Sequence, residues 1–99
     1  MKIDDLEDTL SKLEDQDWIS QYEKPNFEYG ILSLESGRED VQSPHKSDEV
    51  YYIIEGDGYL RVVDEDIEIK KGRSIFVPAN TVHKFHSNKE RILAFYCLN

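Results

Sequence analysis

The sequence predicts a small all-β protein, a sandwich or barrel preceded by one short helix. After Pro25, β-branched and aromatic residues dominate, and glycine or charged turns recur every eight to twelve residues. This rhythm is typical of a small all-β sandwich or barrel. Before Pro25, apolar residues spaced three and four apart mark one face of an amphipathic helix. They are Ile3, Leu6, Leu10 and Leu13.

We expect the helix over residues 3–15, within an N-terminal extension at residues 1–17, followed by a β-barrel domain at residues 18–99. Trp18, just after the helix, is expected to anchor it to the barrel. Seven strands are expected, at 27–35, 49–55, 58–64, 66–70, 74–77, 82–87 and 91–98. Tight turns are expected at 56–58, 64–66 and 70–72.

Composition argues against several classes of partner. The formal net charge is -9, so the chain repels phosphate backbones and no nucleic-acid partner is expected. No stretch is long and apolar enough to span a membrane, and the acidic N-terminus lacks an apolar signal core, which favours a cytoplasmic location. The single cysteine, Cys97, cannot form an internal disulfide and is expected to be a buried, inert thiol.

The three histidines lie in two polar segments, each of which begins at a glycine. The first segment, Gly37–Gly56, contains His45 and Glu49, and the second, Gly72–Ser87, contains His83. Imidazole and carboxylate groups are common ligands of transition metals. Their occurrence in two separate segments suggests one site, assembled by the fold around a metal ion.

Strand alternation groups the neighbours of these side chains. Tyr51 and Ile53 share a face with the carboxylate of the first segment, and Phe85 shares a face with His83. These three side chains either line a substrate pocket or fill the core. His86 points the opposite way, so it is expected to be an exposed or packing residue rather than a ligand.

The two segments resemble the two-part signature of the cupins, G-x5-H-x-H-x3-E-x6-G followed by G-x5-P-x-G-x2-H-x3-N. Seven of its ten fixed positions match. The matching residues are Gly37, His45, Glu49, Gly56, Gly72, Pro78 and His83. The resemblance covers about residues 27–98 and implies a jelly-roll barrel, also called a double-stranded β-helix. It also implies a metal inside the barrel, with His45, Glu49 and His83 as its ligands.

Three positions depart from the signature. Ser43 replaces the first histidine, which leaves three ligands and open positions for water or substrate. Such a set still holds iron, manganese, nickel or zinc, and the alternative is a metal-free pocket. Asn80 replaces a glycine and tolerates the left-handed backbone. Ser87 replaces asparagine, with Asn88 one position later. Because the ligands must be deprotonated, metal affinity is expected to fall below about pH 6.

The resemblance leaves several functions open, because the fold does not choose among them. One is a small metal-dependent enzyme, oxygenase- or isomerase-like, acting on a small polar organic molecule. Another is a non-catalytic barrel, with or without metal, that binds a sugar or small acid. A third is an oligomeric scaffold.

The resemblance also favours a homodimer formed through the sheets. The segment 92–98 and the outward side chains Tyr52 and Ile54 are the candidate interface. Two alternatives are open for Arg61 and Arg73. They either capture an anionic substrate or are ordinary surface residues.

Overall fold

The computed structural model describes residues 1–99 as one short helix and eight antiparallel strands. The helix, α1, spans Leu6–Ser11. The strands are β1 Trp18–Lys24, β2 Phe27–Leu34, β3 Glu49–Glu55, β4 Tyr59–Val62, β5 Glu65–Glu68, β6 Ser74–Val77, β7 His83–His86 and β8 Ile92–Leu98. They form a five-stranded sheet in the order β1-β2-β8-β3-β6 and a three-stranded sheet in the order β5-β4-β7. The predicted all-β fold with a short N-terminal helix is confirmed.

The core consists of twelve buried hydrophobic side chains contributed by both sheets. In β3, Tyr51 and Ile53 are fully buried whereas Tyr52 between them is half exposed, as expected for side chains that alternate between faces. Leu60 of β4 and Phe85 of β7 bring the smaller sheet into the same core. The period-two pattern therefore identified the buried faces of these strands.

The N-terminal region differs from the prediction. α1 is shorter than residues 3–15 and ends before Glu14, which has a positive φ of 54°. Its buried residue is Thr9, whose Oγ1 accepts a hydrogen bond of 2.9 Å from Gln21 Nε2. Trp18 does not anchor the helix. It begins β1, is 51% exposed, and packs edge-on against Tyr96 with ring centroids 6.3 Å apart.

β1 is a strand that the sequence pattern did not reveal. It lies at the edge of the larger sheet and pairs with β2 alone. Most of its residues are half-buried or exposed, because an edge strand needs no continuous apolar face. The polar residues of this segment therefore concealed its strand character.

Two of the expected turns also differ. The turn at 56–58 carries the chain from the larger sheet to the smaller one, because β3 pairs with β8 and β6 whereas β4 pairs with β5 and β7. It is therefore a crossover and not a hairpin. The turn expected at 64–66 lies earlier, because Val63 has a φ of 59° and β5 begins at Glu65. The strands expected from the sequence otherwise begin and end within about two residues of their predicted bounds.

The length of the helix bears on whether the chain could cross a membrane. α1 contains six residues, and no helix in the structure combines the length and apolar character needed to cross a membrane.

Asn88 ties the end of β2 to the connection between β7 and β8. Its Nδ2 donates to the carbonyl oxygens of Leu34 at 3.1 Å and Glu90 at 2.9 Å. Its own carbonyl accepts a hydrogen bond of 3.0 Å from Ser36 Oγ. The preceding Ser87 has a φ of 60°. The asparagine that follows position 87 therefore has a structural role.

We predict that Asn88→Ala lowers the free energy of unfolding by about 2 kcal/mol, because it removes the two hydrogen bonds that its side chain donates. Urea denaturation measures the change. Asn99→Ala is the matched control, since Asn99 is exposed at the end of the chain and its truncation is expected to change stability by less than about 0.5 kcal/mol. Equal stabilities of the two variants would contradict the role assigned to Asn88.

Candidate metal centre

Three side chains from separate parts of the chain converge at one point. Glu49 is the first residue of β3, His83 is the first residue of β7, and His45 lies in the loop before β3. Their potential ligand atoms all lie within 4.8 Å of one another. The side chains of Glu49 and His83 are 4% and 1% exposed, whereas that of His45 is 28% exposed. These are the three residues that the sequence singled out as ligands.

Each imidazole is oriented by a backbone carbonyl. His45 Nδ1 lies 2.9 Å from the carbonyl oxygen of Ser47, and His83 Nδ1 lies 2.8 Å from that of Thr81. Because a carbonyl oxygen only accepts hydrogen bonds, we assign the proton of each ring to Nδ1. In the neutral rings, Nε2 then carries a free lone pair. Ligand histidines in metal sites are oriented in this same way.

Both Nε2 atoms face the same carboxylate oxygen. Glu49 Oε1 lies 3.0 Å from His45 Nε2 and 3.1 Å from His83 Nε2. With neutral rings this places two lone pairs against an anionic oxygen, which is repulsive unless a cation is shared between them. Two imidazole nitrogens and one carboxylate oxygen fit a divalent transition metal. The donor set therefore suits such an ion.

The surroundings of His83 also favour positive charge. Burial lowers the pKa of this imidazole, but the hydrogen bond to Glu49 and the carbonyl of Thr81 outweigh burial, and the net pKa is raised above its ordinary value. The raised pKa of His83 therefore favours a proton on this ring when no metal ion is bound.

Two loops hold the imidazoles at the centre. The backbone N–H of Asn80, between β6 and β7, donates to the carbonyl of His45 at 2.7 Å. Asn80 has a φ of 59°, so it adopts the left-handed conformation that the sequence led us to expect at this position. The Ala79 N–H also donates to Asp48 Oδ1 at 2.9 Å. These bonds join the two signature segments beside the candidate ligands.

A cavity of about 360 Å³ opens beside the centre. It is lined by Trp18, Glu28, Leu32, Val41, Gln42, Ser43, His45, Glu49, Tyr51, Tyr96 and Leu98. Such a volume accommodates a small organic molecule. Since His83 is not part of the lining, a ligand in the cavity approaches the centre from the side of His45 and Glu49.

The structure separates the four residues named as pocket candidates. Ser43 and Tyr51 line the cavity. Ile53 and Phe85 do not line it and belong to the buried core, where they are 0% and 1% exposed. The rings of Phe85 and Tyr51 meet edge to face, with centroids 5.0 Å apart. Strand alternation correctly predicted that Ile53 and Phe85 point inward. It did not show whether they line the cavity or lie in the core.

Tyr51 is held by a chain of polar contacts that the sequence did not reveal. Its hydroxyl donates to Gln42 Oε1 at 3.1 Å, and Gln42 Nε2 donates to Asp40 Oδ2 at 3.0 Å. Asp40 is buried and also accepts a bond of 2.8 Å from the Phe85 N–H. Burial, followed by the charge of Glu49, raises the pKa of Tyr51 well above its ordinary value. The hydroxyl therefore stays protonated near neutral pH and acts as a donor.

A second polar pair lies at the other end of the cavity. Tyr96 Oη donates to Glu28 Oε2 at 2.6 Å. Burial and the carboxylate of Glu28 raise the pKa of Tyr96, so this hydroxyl also stays protonated. A Cβ atom at Gly30 would lie 2.7 Å from Tyr96 Oη and 2.2 Å from the carbonyl of Ile19. The glycine is therefore needed for the ring to lie across β2.

The remaining candidates lie outside the centre. His86 Nε2 is 2.9 Å from Asp66 Oδ1, and its ring stacks on Tyr59. Arg61 pairs with the same aspartate at 2.8 Å. Arg73 donates to the carbonyl of a residue in β5. Neither arginine lines the cavity.

Comparisons with known proteins agree with this architecture. The family described as "Cupin domain" matches residues 30–99. An uncharacterised protein of Streptomyces coelicolor is 31% identical over 97 residues, which are 96% of this chain and 91% of that protein. Acireductone dioxygenase 1 of Sorghum bicolor is 35% identical over 74 residues, which are 70% of this chain and 38% of that protein.

Among solved structures, TT1209 from Thermus thermophilus has the same fold. Its TM-score is 0.79 at 24% sequence identity, over 99% of this chain and 96% of that one. The family match covers most of the residues, and the fold agrees with that structure over nearly its whole length. The chain therefore belongs to the cupin family.

Proposed function

We propose that this cupin binds a divalent transition-metal ion through His45, Glu49 and His83 and is a metal-dependent enzyme. Its substrate would be a small polar organic molecule bound in the adjacent cavity. The observation that carries the proposal is the approach of two carbonyl-oriented Nε2 atoms to one buried carboxylate oxygen. Iron, manganese, nickel and zinc all suit this donor set. When bound, such an ion supplies Lewis-acid or redox chemistry.

The protein's own residues would position the substrate. Tyr51, whose hydroxyl proton is donated to Gln42, would accept a hydrogen bond from a substrate hydroxyl or amine group near Glu49. The apolar side chains of Leu32 and Leu98 restrict water in the cavity. An oxygenase-like reaction is favoured over an isomerase-like one by the similarity to a relative whose name describes a dioxygenase. Because that similarity covers 38% of the relative, it supports the reaction class and not the substrate.

A non-catalytic ligand-binding barrel is the second candidate. The exposed Ser43 at the cavity wall favours it, because this residue replaces the first histidine of the family signature. A site with fewer ligands binds its metal more weakly. The two candidates differ in whether the bound ion keeps positions that exchange water and substrate.

We predict that the metal-free protein binds about one equivalent of Mn²⁺, Fe²⁺, Ni²⁺ or Zn²⁺ and that His83→Ala lowers the affinity at least about tenfold, because a buried ligand is lost. Equilibrium dialysis with elemental analysis, on protein without a histidine tag, measures both. His86→Ala is the matched control, because this ring faces Asp66 and not the centre. Circular dichroism checks that both variants are folded. Equal binding by the two variants would contradict the assigned ligands.

We predict that the Mn²⁺-loaded protein enhances the relaxation of water protons, because three protein ligands leave coordination positions open to solvent. Titration with a small ligand that enters the cavity is expected to reduce this enhancement. The free ion and the His83→Ala variant at the same concentration are the controls. A bound ion without exchangeable water would contradict the enzyme proposal and favour the binding barrel.

We propose, finally, that the protein is cytoplasmic and that two copies of it form a dimer through the outer face of the larger sheet. Val50, Tyr52 and Phe76 are 42%, 47% and 59% exposed there, whereas Ile54 is partly buried. β8 contributes less than expected from its sequence, because it is paired on both sides and most of its side chains are buried. Sedimentation velocity is expected to give a species of twice 11.6 kDa, and Tyr52→Glu is expected to shift it to the monomer. A wild-type protein that sediments only as a monomer would disprove the dimer.

A further inference from the structure

The two carboxylates of the cavity stand at opposite ends of one row across the larger sheet. In the strand register, Glu28 of β2 is opposite Leu98 of β8, and Leu98 is opposite Glu49 of β3. Opposite residues point to the same face, so both carboxylates border the cavity. Two interstrand spacings separate their backbones by about 10 Å. A short molecule therefore fits between them.

The end of the cavity near Glu28 carries no positive charge from the protein. None of the residues that line the cavity is a lysine or arginine. Glu28 Oε2 accepts the Tyr96 hydroxyl, whereas no group of the chain donates a hydrogen bond to Oε1. This carboxylate thus keeps an oxygen for a ligand. A carboxylate or phosphate group placed here would meet like charge.

Aromatic rings border the same carboxylate. Trp18 and Tyr96 both line the cavity, and their ring centroids are 6.3 Å apart in an edge-on arrangement. Trp18 is 51% exposed, so part of its ring surface is free. Aromatic faces attract organic cations through their quadrupoles, and tryptophan does so most strongly. Rings beside an anionic oxygen form a lining suited to an ammonium group.

We infer that the cavity binds a short organic ammonium compound, with its cationic group against Glu28, Trp18 and Tyr96. An oxygen atom of the ligand points towards Glu49 and the two histidines. The inference rests on the proposed function, because it takes the same cavity as the substrate site. It adds the class of substrate, an amino alcohol or a related amine, and excludes compounds with an anionic group at that end.

The substitution Glu28→Gln removes the negative charge at this position and keeps the size and shape of the side chain. The amide oxygen of glutamine still accepts the Tyr96 hydroxyl, so a purely structural role of Glu28 survives the change. The negative charge that attracts an ammonium group is lost. Glu65→Gln is the matched control, because Glu65 lies exposed on β5 in the other sheet. Equal thermal melting of the variants and the wild type checks that the fold is intact.

The probes are choline and its uncharged isostere 3,3-dimethylbutan-1-ol, with 3-hydroxypropane-1-sulfonate and glucose as anionic and sugar comparisons. Trp18 is the single tryptophan of the chain, so its fluorescence reports ligands at this end of the cavity. Calorimetry provides a second measurement. Titrations use the full chain, with and without added Mn²⁺.

We expect choline to bind about tenfold more tightly than its isostere. Glu28→Gln is expected to abolish the difference, and Glu65→Gln to preserve it. Preference for the sulfonate or glucose, equal binding of the isosteric pair, or no binding of choline at millimolar concentration would each overturn the inference. A choline preference in a protein that binds no metal would refute the proposed metal centre and leave the ligand class intact. Metal binding without the preference would refute the ligand class alone.

Discussion

The buried carboxylate of Glu49 is the constraint on which the centre of the molecule depends. It lies on β3, between β8 and β6, with 4% of its side chain exposed. Removing a carboxylate from water costs several kcal/mol unless charge and hydrogen bonds compensate. The side chains that reach it are His45 and His83, and their rings are held by backbone carbonyls and by loops joined to each other. No buried side-chain nitrogen or oxygen in the structure lacks a hydrogen-bond partner, and the Glu49 carboxylate has both imidazoles as its partners.

The charge balance links the centre to the stability of the fold. Two neutral imidazoles and one carboxylate carry a net negative charge, in a protein whose formal charge is already -9. Positive charge is therefore attracted to the centre, either as a proton on a ring or as a metal ion. An ion that binds only the folded chain stabilises it by about 2.7 kcal/mol when its concentration is one hundred times its dissociation constant. Binding of a metal ion by the proposed ligands and folding of β3 and β7 are therefore thermodynamically linked.

Local sequence patterns predicted the candidate metal ligands, which lie in the two signature segments. The opposite wall of the cavity depends on the pairing of distant strands, which these patterns do not show. His45, Glu49 and His83 were identified by their type and spacing, and alternation found the buried faces of the strands. The wall formed by Trp18, Glu28 and Tyr96 was missed because these residues meet only through the order β1-β2-β8-β3, which no local pattern encodes. One local signal was present at Gly30, since a glycine inside a strand often marks a close approach. There it admits the Tyr96 ring, which in turn holds Glu28.

The candidate metal ligands and the residues proposed to select the organic ligand lie on different strands. The candidate ligands lie on β3, on β7 and in the loop before β3, and their donor atoms suit a cation. The opposite wall comes from β1, β2 and β8, and its side chains make no hydrogen bond to the candidate ligand atoms. Leu98 lies between the two walls on the row that joins Glu28 to Glu49. Because the side chain of this apolar residue forms no hydrogen bond, no chain of hydrogen bonds runs along the row from Glu28 to Glu49. A cupin barrel built in this way can keep one metal centre and acquire a different ligand through a few residues of the opposite wall.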